Sequence, residues 1–378
     1  MSFTENRYSM AVRNIRRSLA PVLFPVSLVY SVVTGIRNKL FDLNIIKSTE
    51  FDFPVISVGN ITVGGTGKTP HVEYLVSLLS DQYKIAVLSR GYKRSTKRFI
   101  LADINSAPED IGDESCQIKR KFEDIPVAVD ESRVRGIQML KKKIKNLRCV
   151  ILDDAYQHRK VRPGVSILLV DYNRPLRHDH ILPLGDLREN RHNIHRANII
   201  IVTKVPHEIK PIEKRLWVKD LNLFPYQFLY FTSFQYGKLT PVFLKNEKKL
   251  DFNDLDKKST GIILVTGIAN PDPLYDKVKK YSRSVFHYRF PDHHTYSAGH
   301  LEDFYKKLAS LKGTLKLIIT TEKDAVKMRQ LISVDTRIKE LIYYVPIKIK
   351  FLGETQDEFD QIILKYVGKN KPIDRLHC

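Results

Sequence analysis

Residues 54–70, PVISVGNITVGGTGKTP, constrain the fold of this chain more than any other stretch. They begin with a short β-branched run (Val55, Ile56, Val58) that reads as a buried strand. A Gly59-Asn60 turn follows, then the loop Thr62-Val63-Gly64-Gly65-Thr66-Gly67-Lys68-Thr69, then a helical pattern through Tyr74, Leu75, Leu78 and Leu79. Strand, glycine-rich loop and helix in that order are the context of a phosphate loop. Glycines let backbone N–H groups turn inward around phosphate oxygens, and the helix N-terminus adds partial positive charge. In this reading the loop from Thr62 to Thr69 cradles ATP, Lys68 reaches the β- and γ-phosphates, and the Thr69 hydroxyl ligates Mg2+. Thr62 stands where GxxxxGK[ST] usually has its first glycine. The bland alternative is a glycine-rich turn beside an exposed lysine, and the flanking strand and helix weigh against it.

The second signal is RCVILDD at residues 148–154, an apolar strand ending in Asp153 and Asp154. That is the Walker B arrangement, which sets a carboxylate beside Mg2+. Gln157 and His158 lie on the following turn, where His158 alone reads as a hydrogen-bonding surface residue. Residues 84–88 form another apolar strand, ending in the basic loop SRGYKR with Arg90. In open α/β sheets ligands bind beyond such strand ends. Asp113 and Glu114 open a helical stretch, and from the residues alone Asp113 reads as a charge favouring a helix N-terminus. Strands are expected at 127–129, 165–171 and 198–204. Between the last two lies LPLGDLRE at 182–189, with His178, His180, Arg188, Arg191 and His192 nearby. These basic residues suit either an anionic ligand or an ordinary solvated loop.

Residues 19–36 carry no charge, with Arg13, Arg16 and Arg17 before them and Arg37 and Lys39 after. Positive charge on both flanks disfavours crossing a bilayer. A helix lying in the interface, its arginines on lipid phosphates, fits better, against the alternative of a buried core helix. The chain of 378 residues has a net charge of +21, which favours anionic partners. Cys116, Cys149 and Cys378 have neither disulfide nor metal-ligand spacing. Four segments are expected: a helical membrane-associated segment at 1–45, a phosphate-loop domain at 46–233, a β-hairpin linker at 234–255 and a smaller α/β domain at 256–378. Gly237-Lys238 and Asn246-Glu247 are the linker's turn candidates. The last segment alternates strands and helices but has no phosphate loop of its own.

Taken together, GNITVGGTGKTP, SRGY, GDE, DDAYQH, LPLGDLRE, GIANP, FPDHHTY and TEKDAVK, in that order, resemble the tetraacyldisaccharide 4′-kinase family of lipid A biosynthesis. The family's GDEP is Gly112-Asp113-Glu114-Ser115 here, and its LPAGPLRE carries Leu184 and Asp186. Both departures spare the charged residues and bear on loop geometry. The resemblance implies an α/β fold: a P-loop NTPase-type α/β/α sandwich and a smaller α/β/α sandwich, joined by a β-hairpin linker, with an N-terminal membrane-associated helix. It implies transfer of the ATP γ-phosphoryl group to the 4′-hydroxyl of a tetraacyldisaccharide 1-phosphate, at the cytoplasmic face of the bacterial inner membrane. Anionic lipid is then a partner, and neither nucleic acid nor an obligate protein partner is expected. Asp113 becomes the general base, with His293 to orient it and to hold and relay the proton. Asp153 and Asp154 become Mg2+ ligands, and Arg90, Gln157, His158, Arg188 and Glu189 become substrate contacts. A nucleic-acid-associated P-loop ATPase and a membrane-bound regulatory NTPase remain as alternatives, separated from the kinase by which acceptor takes the phosphoryl group.

Overall fold

The computed structural model describes residue 16 and residues 18–243, 249–331 and 335–369. Arg13, Arg17, the Asn246-Glu247 turn and Cys378 lie outside the described residues. In chain order the strands are β1 (Val55–Gly59), β2 (Ile85–Ser89), β3 (Ile100–Leu101), β4 (Val127–Val129), β5 (Cys149–Asp153), β6 (Val165–Asp171), β7 (Ile199–Thr203) and β8 (Phe228–Tyr236). Then come β9 (Thr240–Pro241), β10 (Thr260–Thr266), β11 (Ser284–Arg289), β12 (Leu315–Thr321), β13 (Ile342–Val345) and β14 (Ile347–Phe351). They form a nine-stranded sheet, β14-β8-β7-β6-β1-β5-β2-β4-β3, and a five-stranded sheet, β11-β10-β12-β13-β9.

β1 is central because every residue in it is buried, and β5 and β6 flank it in parallel. Continuous apolar strands of this kind need cover on both faces. The helix Lys68–Ser80 supplies part of it, burying Val72, Leu75, Val76 and Leu79. In register, Val58 faces Asp153, so the phosphate loop and the acidic strand end leave the sheet side by side. The smaller sheet centres on the fully buried β10 and packs Ile263 and Val265 with Leu301, Phe304, Ile318 and Met328.

The chain passes between the sheets twice. β8 and β14 pair antiparallel in the large sheet, and β9 and β13 pair antiparallel in the small one. Where they cross, the Gly237 N–H donates to the Pro346 carbonyl at 2.8 Å. The connection is therefore two strands from distant parts of the chain, to which the antiparallel bridge Leu239–Leu250 is added. This differs from the expected single C-terminal unit at 256–378. β14 returns to the large sheet, and the helix Gln356–Lys369 buries Phe359, Ile363, Tyr366 and Val367 in its core. The Tyr366 hydroxyl accepts the Val55 N–H at 3.0 Å, clasping the start of β1. An amphipathic helix shows that it needs an apolar partner, not which of two sheets supplies it.

The N-terminal helix Ala20–Asp42 inverts the usual pattern. Val22, Phe24, Val26, Leu28, Val29, Val32, Val33 and Ile36 are exposed, whereas Ser27, Asn38 and Phe41 are buried. Its polar side chains bind the body of the protein. Ser27 Oγ donates to the Ile181 carbonyl at 3.1 Å, Tyr30 donates to the Arg188 carbonyl at 3.2 Å, and Asn38 donates to Glu189 at 2.9 Å. An apolar stripe of this size facing outward marks a surface meant for a non-aqueous neighbour.

Candidate active site

The phosphate loop is pinned from several sides. Gly67 has φ +89° and caps the helix that begins at Lys68, and a Cβ there would come within 2.6 Å of the Phe234 ring. Only glycine fits both conditions. Arg174 Nη1 donates to the Val63 carbonyl at 2.9 Å, Lys204 to the Gly65 carbonyl, and Thr203 Oγ1 to the Thr66 carbonyl at 2.8 Å. His71 Nδ1 bonds the Gly67 carbonyl at 2.7 Å and its Nε2 lies 3.1 Å from Thr232 Oγ1. Burial pulls His71 down to about 4, so its ring is neutral and its proton sits on Nδ1, facing the carbonyl. Thr62 and Val63 are held against the 182–189 loop by the Thr62–Leu187 bridge and by the Val63 N–H on the Asp186 carbonyl.

Lys68 Nζ lies 3.4 Å from Asn60 Oδ1 and 3.5 Å from Asp154 Oδ1. Arg188 Nη1 lies 3.5 Å from the same carboxylate. Burial pushes Asp154 up, but Lys68 and Arg188 outweigh it and hold the carboxyl below its usual range. Its backbone sits at φ +47°, a left-handed conformation that a non-glycine residue holds only where its surroundings enforce it. Asp153 is different. It is fully buried, and neither carboxylate oxygen has a hydrogen-bond partner among the described residues. Burial first, then Glu114 and Asp154, push it up to about 7 against the pull of Lys68 and Arg133.

Asp113 comes from the large sheet's side and meets residues of the small one. His293 Nδ1 and Lys327 Nζ lie 2.9 Å and 3.0 Å from its Oδ2. Burial raises Asp113, but the His293 hydrogen bond, Lys327 and Lys323 together hold it below its ordinary value. Asp113 and Lys121 are the two ends of one helix, and the small sheet's lobe grips both. At the far end Lys121 Nζ lies 2.6 Å from Glu73 and 3.1 Å from Glu322, and between them Arg120 donates to the Val326 carbonyl at 2.6 Å. Burial, then Glu322, push Glu73 up. Burial pulls Lys121 down, but the two carboxylates outweigh it and hold it above its ordinary range.

The remaining sequence candidates divide. Gln157 Nε2 donates to the Asn60 carbonyl at 2.7 Å, beside the loop. His158 is pulled down to about 4 by burial, then by Arg133 and Arg90, and shares a cavity of about 400 Å3 with Arg37, Arg133, Arg135, Arg159 and Lys160. Arg90 is exposed, and its charge reaches His158 and Arg133. Glu189 is not presented as a ligand contact: it is buried and takes Asn38, Asn193 and Arg196 at 2.9, 3.1 and 2.6 Å. Its contacts anchor the N-terminal helix. Sequence reasoning missed His71, Lys323 and Lys327. The lysines sit inside the quoted TEKDAVK motif, but no spacing rule connects them to Asp113.

Residues 19–368 match the family model described as tetraacyldisaccharide-1-P 4′-kinase. The chain is 47% identical over 354 residues to the tetraacyldisaccharide 4′-kinase of Bacteroides thetaiotaomicron, covering 92% of this chain and 93% of that one. It is 44% identical to the enzyme of the same name from Flavobacterium johnsoniae, covering 93% and 98%. Its fold is similar to the crystal structure of the "apo" form LpxK from Aquifex aeolicus in complex with ATP, with a TM-score of 0.69 at 26% identity, covering 93% of this chain and 99% of that one.

Proposed function

The chain belongs to the tetraacyldisaccharide 4′-kinase family, and on that premise we propose how its residues share out the reaction. The activity is ATP-dependent phosphorylation of tetraacyldisaccharide 1-phosphate at the 4′-hydroxyl. The loop from Thr62 to Thr69 holds the triphosphate, with Lys68 on the β- and γ-phosphates, where its charge stabilises the transferring group. Asp113 accepts the proton of the 4′-hydroxyl as the new O–P bond forms. An aspartate held low is a weak base at rest, and it becomes adequate because the hydroxyl acidifies as it bonds to phosphorus. Arg188, Gln157, His158 and Arg90 contribute contacts to the anionic head group.

Mg2+ fits the residues present. Among the described residues no cluster of three or more His, Cys, Asp or Glu side chains stands ready for a metal. A phosphate-loop Mg2+ needs fewer, because it keeps several waters and binds substrate phosphates. The two partnerless oxygens of Asp153 are what such a cation would satisfy, with Asp154 and the Thr69 hydroxyl beside them. Bound there, the ion would neutralise charge on the β- and γ-phosphates. The outward apolar face of the Ala20–Asp42 helix supports a monotopic seat on the cytoplasmic face of the inner membrane, with anionic lipid at Arg16 and Arg37.

The observation that carries this reading is the convergence of His293 and Lys327 on Asp113 from across the two sheets. It is tested by incubating the full-length protein in detergent with γ-labelled ATP and the acylated disaccharide 1-phosphate. Label in the lipid is the expected result. Label only in inorganic phosphate, or turnover dependent on added nucleic acid, would contradict it.

A further inference from the structure

His293 is gripped at both ring nitrogens. Nδ1 lies 2.9 Å from Asp113 Oδ2, and Nε2 lies 3.3 Å from Lys323 Nζ. An ammonium group has protons to donate and no lone pair to accept with. Nε2 is therefore the acceptor toward Lys323, and the ring proton sits on Nδ1, donated to Asp113. We propose that Lys323 is a positioning residue that locks His293 as a fixed Nδ1–H donor to Asp113, so that the histidine holds the base and does not relay its proton.

This rests on the reading of Asp113 as the base. Lys323 is itself held, with Nζ 3.0 Å from Asp292 Oδ1 and its side chain only 17% exposed. Asp292 Oδ2 lies 3.7 Å from His293 Nε2, too far to take a proton from that nitrogen. The other groups facing the pair are Lys327, 3.0 Å from Asp113 Oδ2, the Tyr92 ring, 5.2 Å from the imidazole, and Glu114, whose charge acts on Lys323. His293 has φ +65°, a backbone conformation that this web of contacts maintains. The proton balance is simple. The 4′-oxygen bonds to the γ-phosphorus, the bond to the bridging oxygen breaks, ADP leaves, and the hydroxyl proton goes to the Asp113 carboxylate. Nδ1 already carries a proton and takes none, so Asp113 returns its own to water after product leaves.

His293→Asn tests the idea, because its amide supplies an N–H near the place of Nδ1 and cannot relay a proton. We expect H293N to stay within about tenfold of wild type while H293A falls about 10²-fold. K323M should lose about tenfold in kcat with little change in the KM for ATP, and K323R should recover most of it. The acidic limb of the K323M pH–rate profile should move to higher pH, because a cation that holds Asp113 low has gone. Independently of any variant, 15N NMR of the histidine-labelled, full-length protein in detergent should place the His293 proton on Nδ1. A proton on Nε2, an unmoved acidic limb in K323M, or an H293N as poor as H293A would overturn the proposal. Near-wild-type turnover by Asp113→Asn would instead sink the base reading itself, whatever the His293 variants do.

Discussion

Lys68 takes its contacts, Asn60 and Asp154, from loops of the large sheet alone, whereas Asp113 takes His293 and Lys327 from the small one. The first arrangement exists as soon as one sheet has folded. The second exists only while two lobes are together, and the paired strands at Gly237 and Pro346 are the covalent route between them. A phosphate loop that is ready before closure lets ATP bind first. A base assembled by closure confines chemistry to the complex from which water has been excluded.

The comparison breaks most sharply at the two ends themselves. Asp113→Ala should cost about 10³-fold in kcat, the middle of the range for a positioned base, and leave ATP affinity nearly unchanged by calorimetry. Lys68→Ala should cost about 10²-fold or more and weaken nucleotide binding as well, because its charge acts on the phosphates themselves. Activity within a few-fold of wild type would remove Lys68 from its role. Between the ends lies the Glu73–Lys121–Glu322 cluster, which ties the phosphate-loop helix to the small lobe. Glu322→Gln keeps the shape and half the pairing, so we expect about a tenfold loss in kcat with ATP affinity intact. Equal losses in kcat and affinity would place that cluster with the phosphate loop and blur the distinction drawn here.

The smallest effect on chemistry should come from the membrane face. Deleting residues 1–36 should shift the protein from the membrane fraction to the soluble one while leaving ATP binding unaltered. If high salt alone releases the intact protein completely, charge held it there and the inserted apolar face is wrong.

Legibility in the sequence followed the same division. The phosphate loop, β1 and the Asp153 strand end were readable because each is a local pattern: an apolar run, glycines at fixed offsets, a carboxylate where a strand stops. Asp113 and His293 are 180 positions apart, and nothing in either neighbourhood points to the other. Taken alone Asp113 looks like a helix-end charge, and only the family resemblance singled it out with His293. The return of β14 and the Gln356–Lys369 helix to the large sheet escaped for a related reason, since periodicity shows which face is buried and not against what. Glu189 was misjudged because a buried carboxylate that anchors a helix reads the same as one that meets a ligand.

The central claim is that Asp113 and His293 act as one unit assembled across the two lobes. A double-mutant cycle on kcat tests it most directly, with Asp113→Ala, His293→Ala and both together, all checked for intact ATP binding. If the two work through one another, the double variant should be little worse than the poorer single one. Losses that multiply, so that the double variant falls by the product of the two singles, would contradict the account.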